Sequence, residues 1–134
     1  MNVRSQGSMP VRVEQDVVLA RQAVRRLAQE CGLRLVDQTK LITAASELAR
    51  NTLDYGKGGE ARIDTMMTPR SGVRIAFCDK GPGIPDIQLA LKDGYTSGNG
   101  LGHGLGGARR LVDDFDIQTA VGKGTTVTIA RWKR

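Results

Sequence analysis

Residues 46–51 read Ser46-Glu47-Leu48-Ala49-Arg50-Asn51, inside a run whose apolar side is Leu41, Ile42, Ala45, Leu48, Ala49 and Thr52. Recurrence every three or four positions predicts an amphipathic helix with one buried face. Asp37 stands where an N-cap acid would open it, and Gly56 where it would end. Four residues of separation place Glu47 and Asn51 on one face, ~6 Å apart along the axis. A carboxylate and a carboxamide then point the same way. An amide oxygen can ligate Mg²⁺, which prefers oxygen ligands and keeps several waters, and a carboxylate can take the proton of an attacking hydroxyl or water. The same residues also fit a solvated helix face on which Glu47 pairs with Arg50 at i+3.

On the N-terminal side, Val17, Val18, Ala20, Val24, Leu27, Ala28 and Cys31 recur at helical spacing, with Gly32 at the stop position. Val11 and Val13 alternate with Arg12 and Glu14 as a short half-buried strand would. Residues 1–9, polar with Gly and Ser, read as a flexible arm, which leaves 10–134 as a single domain. On the C-terminal side the period changes to two through Ala61, Ile63, Thr65 and Met67, then a compact apolar run spans 73–77. A turn at 69–72 joins these two strands. A short helix over 87–91 precedes a Gly-rich stretch, 94–107, and helical spacing resumes through Ala108, Leu111, Val112 and Phe115. Residues 117–121 and 125–132 close the chain as a hairpin around 122–124. The expected architecture is a two-layer α/β sandwich, with helices covering one face of the sheet.

The 134 residues support one core and no second domain. No run approaches the ~20 apolar residues of a bilayer span, and the N-terminus lacks a signal-peptide core, so a cytoplasmic protein without membrane contact is expected. Cys31 and Cys78 have no further Cys or His at ligand spacing, which argues against zinc and against a disulfide framework. Lys and Arg exceed Asp and Glu by 20 to 14. The basic residues are dispersed and only 4% of residues are aromatic, so no nucleic-acid partner is expected.

Two further clusters carry chemistry. Asp79-Lys80-Gly81-Pro82-Gly83-Ile84-Pro85 follows the apolar strand directly. Its Asp can accept a hydrogen bond from an exocyclic amino group, and absent side chains at Gly81 and Gly83 would admit a flat ring to the backbone. An ordinary turn with Asp79 bonded to nearby N–H groups is the alternative. Residues 98–107 hold six glycines and open a helix, where unshielded N–H groups form an anion site for phosphates. No Gly-Lys-Ser/Thr follows, so this is not a Walker A loop, and no strand immediately precedes it as a Rossmann fingerprint requires. His103, the single histidine, has no carboxylate nearby in sequence to orient it and is read as a bystander.

In order along the chain, Glu47-x-x-x-Asn51, Asp79-x-Gly81-x-Gly83, Gly100-x-Gly102-x-Gly104-Leu105 and Gly124-Thr125-Thr126 resemble the N, G1, G2 and G3 boxes of the GHKL ATPases. The stretches 46–51, 79–86 and 100–115 are most similar to the RsbT-type serine/threonine kinases of bacterial partner-switching, stressosome-type modules. The resemblance spans roughly residues 11–132. It implies a Bergerat-type ATP-binding fold with a mixed, mainly antiparallel sheet and a lid over about 84–99. By resemblance, Asn51 ligates Mg²⁺, Glu47 is the catalytic base and Asp79 binds the adenine amino group. Gly81 and Gly83 line the base pocket, and Gly100, Leu101, Gly102, Gly104 and Leu105 close over the phosphates of ATP. Thr126 finishes the adenine side, while Lys80 and His103 have no assigned role.

The implied activity is phosphorylation of a STAS-domain antagonist (RsbS-like) held with an RsbR-like scaffold. Release to activate a PP2C-type phosphatase or other effector would follow. Related alternatives are an anti-sigma factor kinase of the SpoIIAB or RsbW type, which sequesters a sigma factor, and a non-catalytic ATP-dependent binding module. A histidine kinase is disfavoured, because the chain has no acceptor-helix domain.

Overall fold

A computed structural model describes residues 3–67, 69–92 and 104–134. Among these residues, five strands and four helices follow in the order β1 (Val3–Val11), α1 (Glu14–Glu30), α2 (Leu35–Asp54), β2 (Gly59–Met66), β3 (Gly72–Asp79), α3 (Ile87–Ala90), α4 (Gly104–Arg110), β4 (Asp114–Ala120) and β5 (Gly124–Trp132). The strands form one sheet in the order β1-β2-β3-β5-β4, and each pairing is antiparallel rather than mixed. Val73, Ile75 and Phe77 of β3 and Val127 and Ile129 of β5 alternate toward one face. There they meet Val17, Val24 and Leu27 of α1 and Leu41 and Leu48 of α2 in one core. Every residue assigned to the apolar side of the second helix is buried. Gly32, at φ +79°, ends α1 as expected. Among the described residues no helix is long and apolar enough to cross a membrane.

Three boundaries differ from expectation, each for a tertiary reason. Residues 3–9 are no loose arm: they belong to edge strand β1, which pairs with β2 from Val3 opposite Met66 to Val11 opposite Gly59. Their side chains are largely exposed, so main-chain bonding to β2 supplies what side-chain burial does not, and period-two hydrophobicity never appears. A register shift between Ser5 and Gly7, with Gly7 at φ +102°, makes a bulge at this edge. The fourth helix ends at Arg110 rather than near Phe115, which instead lies in β4. Asp113 Oδ2 accepts the Trp132 backbone N–H at 2.8 Å, and Asp114 Oδ2 accepts Trp132 Nε1–H at 2.7 Å. These cross-strand bonds favour extended backbone where local spacing favours helix.

The third difference concerns Asp37, which is not the N-cap of α2 but lies within its first turn, 1% exposed. Arg131, on the helix-facing side of β5, donates to Asp37 Oδ1 through Nε at 2.9 Å and through Nη2 at 2.5 Å. Its Nη1 donates to the Leu111 carbonyl at 2.9 Å, and Arg34 Nε reaches Asp37 Oδ2 at 3.2 Å. One buried carboxylate thus ties the start of α2 to the sheet, and one guanidinium ties both to the end of α4.

Burial pushes the Asp37 carboxyl up, but hydrogen bonds and charge from Arg131 and Arg34 outweigh it and hold it below the ordinary carboxylate range. A depressed native pKa contributes stability in full above the unfolded value of about 3.9 and loses it as pH falls toward the lower native value. Urea titrations of wild type should therefore lose stability below about pH 4, and Asp37→Asn should flatten that slope. Asp37→Ala strands the buried guanidinium and should cost about 3–5 kcal/mol at neutral pH; a loss under about 1 kcal/mol would show that the pair does not anchor α2.

Candidate active site

The last two turns of α2 and the end of β3 enclose a cavity of about 260 Å³. Leu48, Asn51, Thr52 and Tyr55 face it from α2, Phe77 and Asp79 from β3, and Thr125 and Val127 from β5. Loop residues 82–86, Leu89 and Ala90 of α3 and Leu105 of α4 complete the wall. The lining is mainly apolar, with a few polar groups at its edges, the composition expected where a flat organic ligand is held and oriented.

Asp79 is placed by an Asx turn: its Oδ1 accepts the Gly81 N–H at 2.9 Å. The loop that follows is stitched to the β4–β5 hairpin. Ile84 N–H donates to Thr119 Oγ1 at 2.9 Å, the Thr119 and Thr125 hydroxyls are bonded at 2.8 Å, and Gly122 N–H donates to the Pro82 carbonyl at 2.8 Å. The glycines of this loop act differently from the sequence expectation. A Cβ on Gly81 would lie 2.8 Å from the Gly56 Cα, and one on Gly83, at φ +78°, would overlap the Ala120 carbonyl. Their missing side chains let backbone approach backbone, and only Gly83 also lines the cavity.

Thr126 is a second correction. Asp79 pairs with Thr125 and Cys78 with Thr126 across β3 and β5, and successive strand residues face opposite sides of the sheet. Thr125 therefore faces the cavity, while the Thr126 hydroxyl points to the other face and donates to Cys78 Sγ at 3.6 Å. Thr125, Thr52, Tyr55, Phe77 and Leu89 line the site without having been singled out from sequence. For Thr125 the usable signal was the strand register with Asp79.

Asn51 is half-buried and lines the cavity, whereas Glu47, one turn earlier, is exposed and stands outside the wall. Arg50 does not take Glu47 as its partner; it forms a bidentate pair with Glu14 of α1. Leu105 is buried against the cavity, and Gly104 begins α4. A Cβ on Gly106 would approach the Leu91 carbonyl oxygen at 2.7 Å, so the first turn of α4 sits tightly on the end of α3. Gly100, Leu101, Gly102 and His103, with residues 93–99 of the expected lid, lie outside the described residues. Both cysteines are free.

Comparison with known proteins decides the family. Residues 36–134 match HATPase_c, the histidine kinase-, DNA gyrase B- and HSP90-like ATPases. Over 98% of its length the chain is 39% identical to the whole of the serine/threonine-protein kinase RsbT of Bacillus subtilis (strain 168). The chain belongs to the HATPase_c ATPases, among the RsbT-type serine/threonine-protein kinases. It is also 29% identical, over 84% of its length and 82% of the relative's, to the anti-sigma F factor of Clostridium beijerinckii (strain ATCC 51743 / NCIMB 8052). The fold matches the RsbU and RsbW domains of Rv1364c from Mycobacterium tuberculosis with a TM-score of 0.64, at 21% identity over 95% of this chain and 33% of that one. The mycobacterial sensor histidine kinase MprB matches with a TM-score of 0.58, at 18% identity over 94% of this chain and 97% of that one.

As an ATPase-family domain, the protein separates the two adjacent threonines by experiment. Thr125→Val removes the bond that holds Thr119 under the Ile84 N–H and should weaken ATP binding about fivefold, the worth of one net hydrogen bond. Thr126→Val should leave calorimetric affinity at the wild-type value. Equal effects would contradict the strand register at the site.

Proposed function

We propose that this chain is an ATP-dependent kinase that transfers the γ-phosphoryl group to a serine or threonine hydroxyl of a STAS-domain, RsbS-like antagonist in a cytoplasmic partner-switching module. The observation that carries this reading is the juxtaposition of Asn51 from α2 and Asp79 from β3 in the lining of one apolar cavity, with Glu47 one helical turn outside it. Asp79 accepts from the adenine amino group, held by the Asx turn that occupies its other oxygen. Leu48, Phe77, Ile84 and Val127 supply apolar contact for the ring. Leu105, in the first turn of α4, stands on the phosphate side.

Among the described residues no group of three or more His, Cys, Asp or Glu could hold a metal ion. A single amide oxygen at the cavity edge fits Mg²⁺, whose other ligands are phosphate oxygens and water. Bound there by Asn51, Mg²⁺ would neutralise phosphate charge. Glu47, on the solvent side of that amide, meets an acceptor hydroxyl delivered by a docked protein and takes its proton. Such transfer depends on alignment and charge neutralisation more than on covalent chemistry, which a small domain can supply. An RsbR-like scaffold presents the antagonist, and the released kinase engages a PP2C-type phosphatase or comparable effector.

Glu47→Ala should keep calorimetric ATP affinity and lower phosphorylation of a recombinant RsbS-like protein by about 10²–10⁴-fold. Asp79→Asn should weaken ATP binding about tenfold or more, the worth of a hydrogen bond to a charged group, and Asn51→Ala should weaken it only when Mg²⁺ is present. Full transfer activity in Glu47→Ala would remove Glu47 from the mechanism, and absence of transfer by the wild type to any STAS-domain protein would leave an ATP-dependent binding module as the reading. The similarity to an anti-sigma factor supports a second reading, sequestration of a sigma factor. Recovery of a sigma factor as the main partner from lysate would replace the STAS assignment.

A further inference from the structure

Arg50 stands three residues after Glu47 and four before Asp54 on α2. Acid before base is the favoured order for such helix pairs, so in an isolated helix Arg50 would turn back to Glu47 in preference to Asp54. The fold sends it elsewhere. Nη1 donates to Glu14 Oε2 at 2.6 Å and Nη2 donates to Glu14 Oε1 at 2.5 Å. Two parallel charge-assisted bonds fix the plane of the guanidinium as well as its position. Glu14 is itself presented from a fixed turn, because Asp16 Oδ2 accepts the Arg12 N–H at 2.9 Å and the Val13 N–H at 3.2 Å where β1 passes into α1. Glu47 lies within electrostatic reach of the Arg50 guanidinium, yet both hydrogen-bonded Nη groups go to Glu14 instead.

We propose that Glu14 is a positioning residue for phosphoryl transfer: by occupying both Nη groups of Arg50 it keeps the guanidinium off Glu47 and leaves that carboxylate open to the acceptor hydroxyl. The inference rests on Glu47 acting as the base. A carboxylate gripped by arginine has its lone pairs engaged and its basicity lowered, and both effects oppose proton abstraction. The pair lies at the surface, with the Glu14 side chain 69% exposed and that of Arg50 36% exposed, so its contribution to folding is small. Removing Glu14 therefore leaves a folded protein in which Arg50 has two acids of its own helix within electrostatic reach, Asp54 and Glu47. Of these, Glu47 stands in the favoured order.

The test uses the full chain, radiolabelled ATP and a recombinant RsbS-like STAS-domain protein, with kcat and KM for ATP measured separately. Glu14→Ala should lower kcat about tenfold, a part of what a positioned base contributes, with KM for ATP and melting temperature unchanged. Arg50→Ala and the double variant should both stay within about twofold of wild type, because no guanidinium remains to occupy Glu47. A simple tie between α1 and α2 predicts the contrary, with all three variants equally slow. That outcome, a double variant as slow as Glu14→Ala, or wild-type kcat in Glu14→Ala would each overturn the inference. Glu47→Ala run alongside separates the two levels: wild-type transfer there removes the base itself, whereas its loss together with an unaffected Glu14→Ala removes only the role of Glu14.

Discussion

Four glycines crowd the end of β3, and the site exists because nothing larger fits there. A Cβ on Gly124 would overlap the Asp79 carbonyl, one on Gly59 the Cys78 carbonyl, and one on Gly56 the Asp79 side chain. On Gly81 it would press into Gly56. The end of α2, the start of β2, the loop after β3 and the start of β5 are thereby brought to backbone contact around two residues. Gly124 adopts φ +93°, which a side-chain-bearing residue rarely takes, so steric exclusion and dihedral freedom act together at that position. The Asp79 side chain rests against Gly56 just beyond the helix that carries Asn51, so the missing Cβ there sets how closely the carboxylate approaches that helix.

Hydrogen bonds hold one side of the cavity, and apolar packing holds the other. The loop after Asp79 is held by the Thr119 hydroxyl and by the Gly122–Pro82 bond, both from the β4–β5 hairpin. The opposite wall is formed by the short α3 and the first turn of α4, which meet at Gly106 and Leu91. Arg131 reaches from β5 to the Leu111 carbonyl just beyond α4 while bonded to Asp37 at the start of α2. The buried pair does not line the cavity but fixes the far ends of two helices that face it. Orientation of α4 is thus tied to the core through the residue just beyond its end.

Much of this was legible from residue order. Apolar period and stop residues located α1 and α2, the turn at 69–72 separated β2 from β3, and the Asp79 motif announced a sharp turn at a strand end. Other features were hidden for identifiable reasons. The polar β1 is held by ladder bonds to β2, which leave no hydrophobic imprint on the edge strand's sequence. Phe115 kept helical spacing with Leu111 and Val112 yet joined a strand, because Trp132 offered Asp113 and Asp114 partners that a helix could not. Arg50 had an acid at ideal helical spacing and bonded instead to one 36 positions away.

What the sequence determined by itself was the periodic burial of the long helices, the glycine-marked turns and the residue types that nucleotide chemistry requires, since these depend on spacings of only a few residues. Tertiary structure alone decided which of Thr125 and Thr126 faces the cavity, whether the loop glycines serve a ligand or the backbone, and which carboxylate Arg50 chooses. Those outcomes depend on strand register and on close approaches between segments distant in the chain. Such constraints come into being only when the sheet and its helices are assembled.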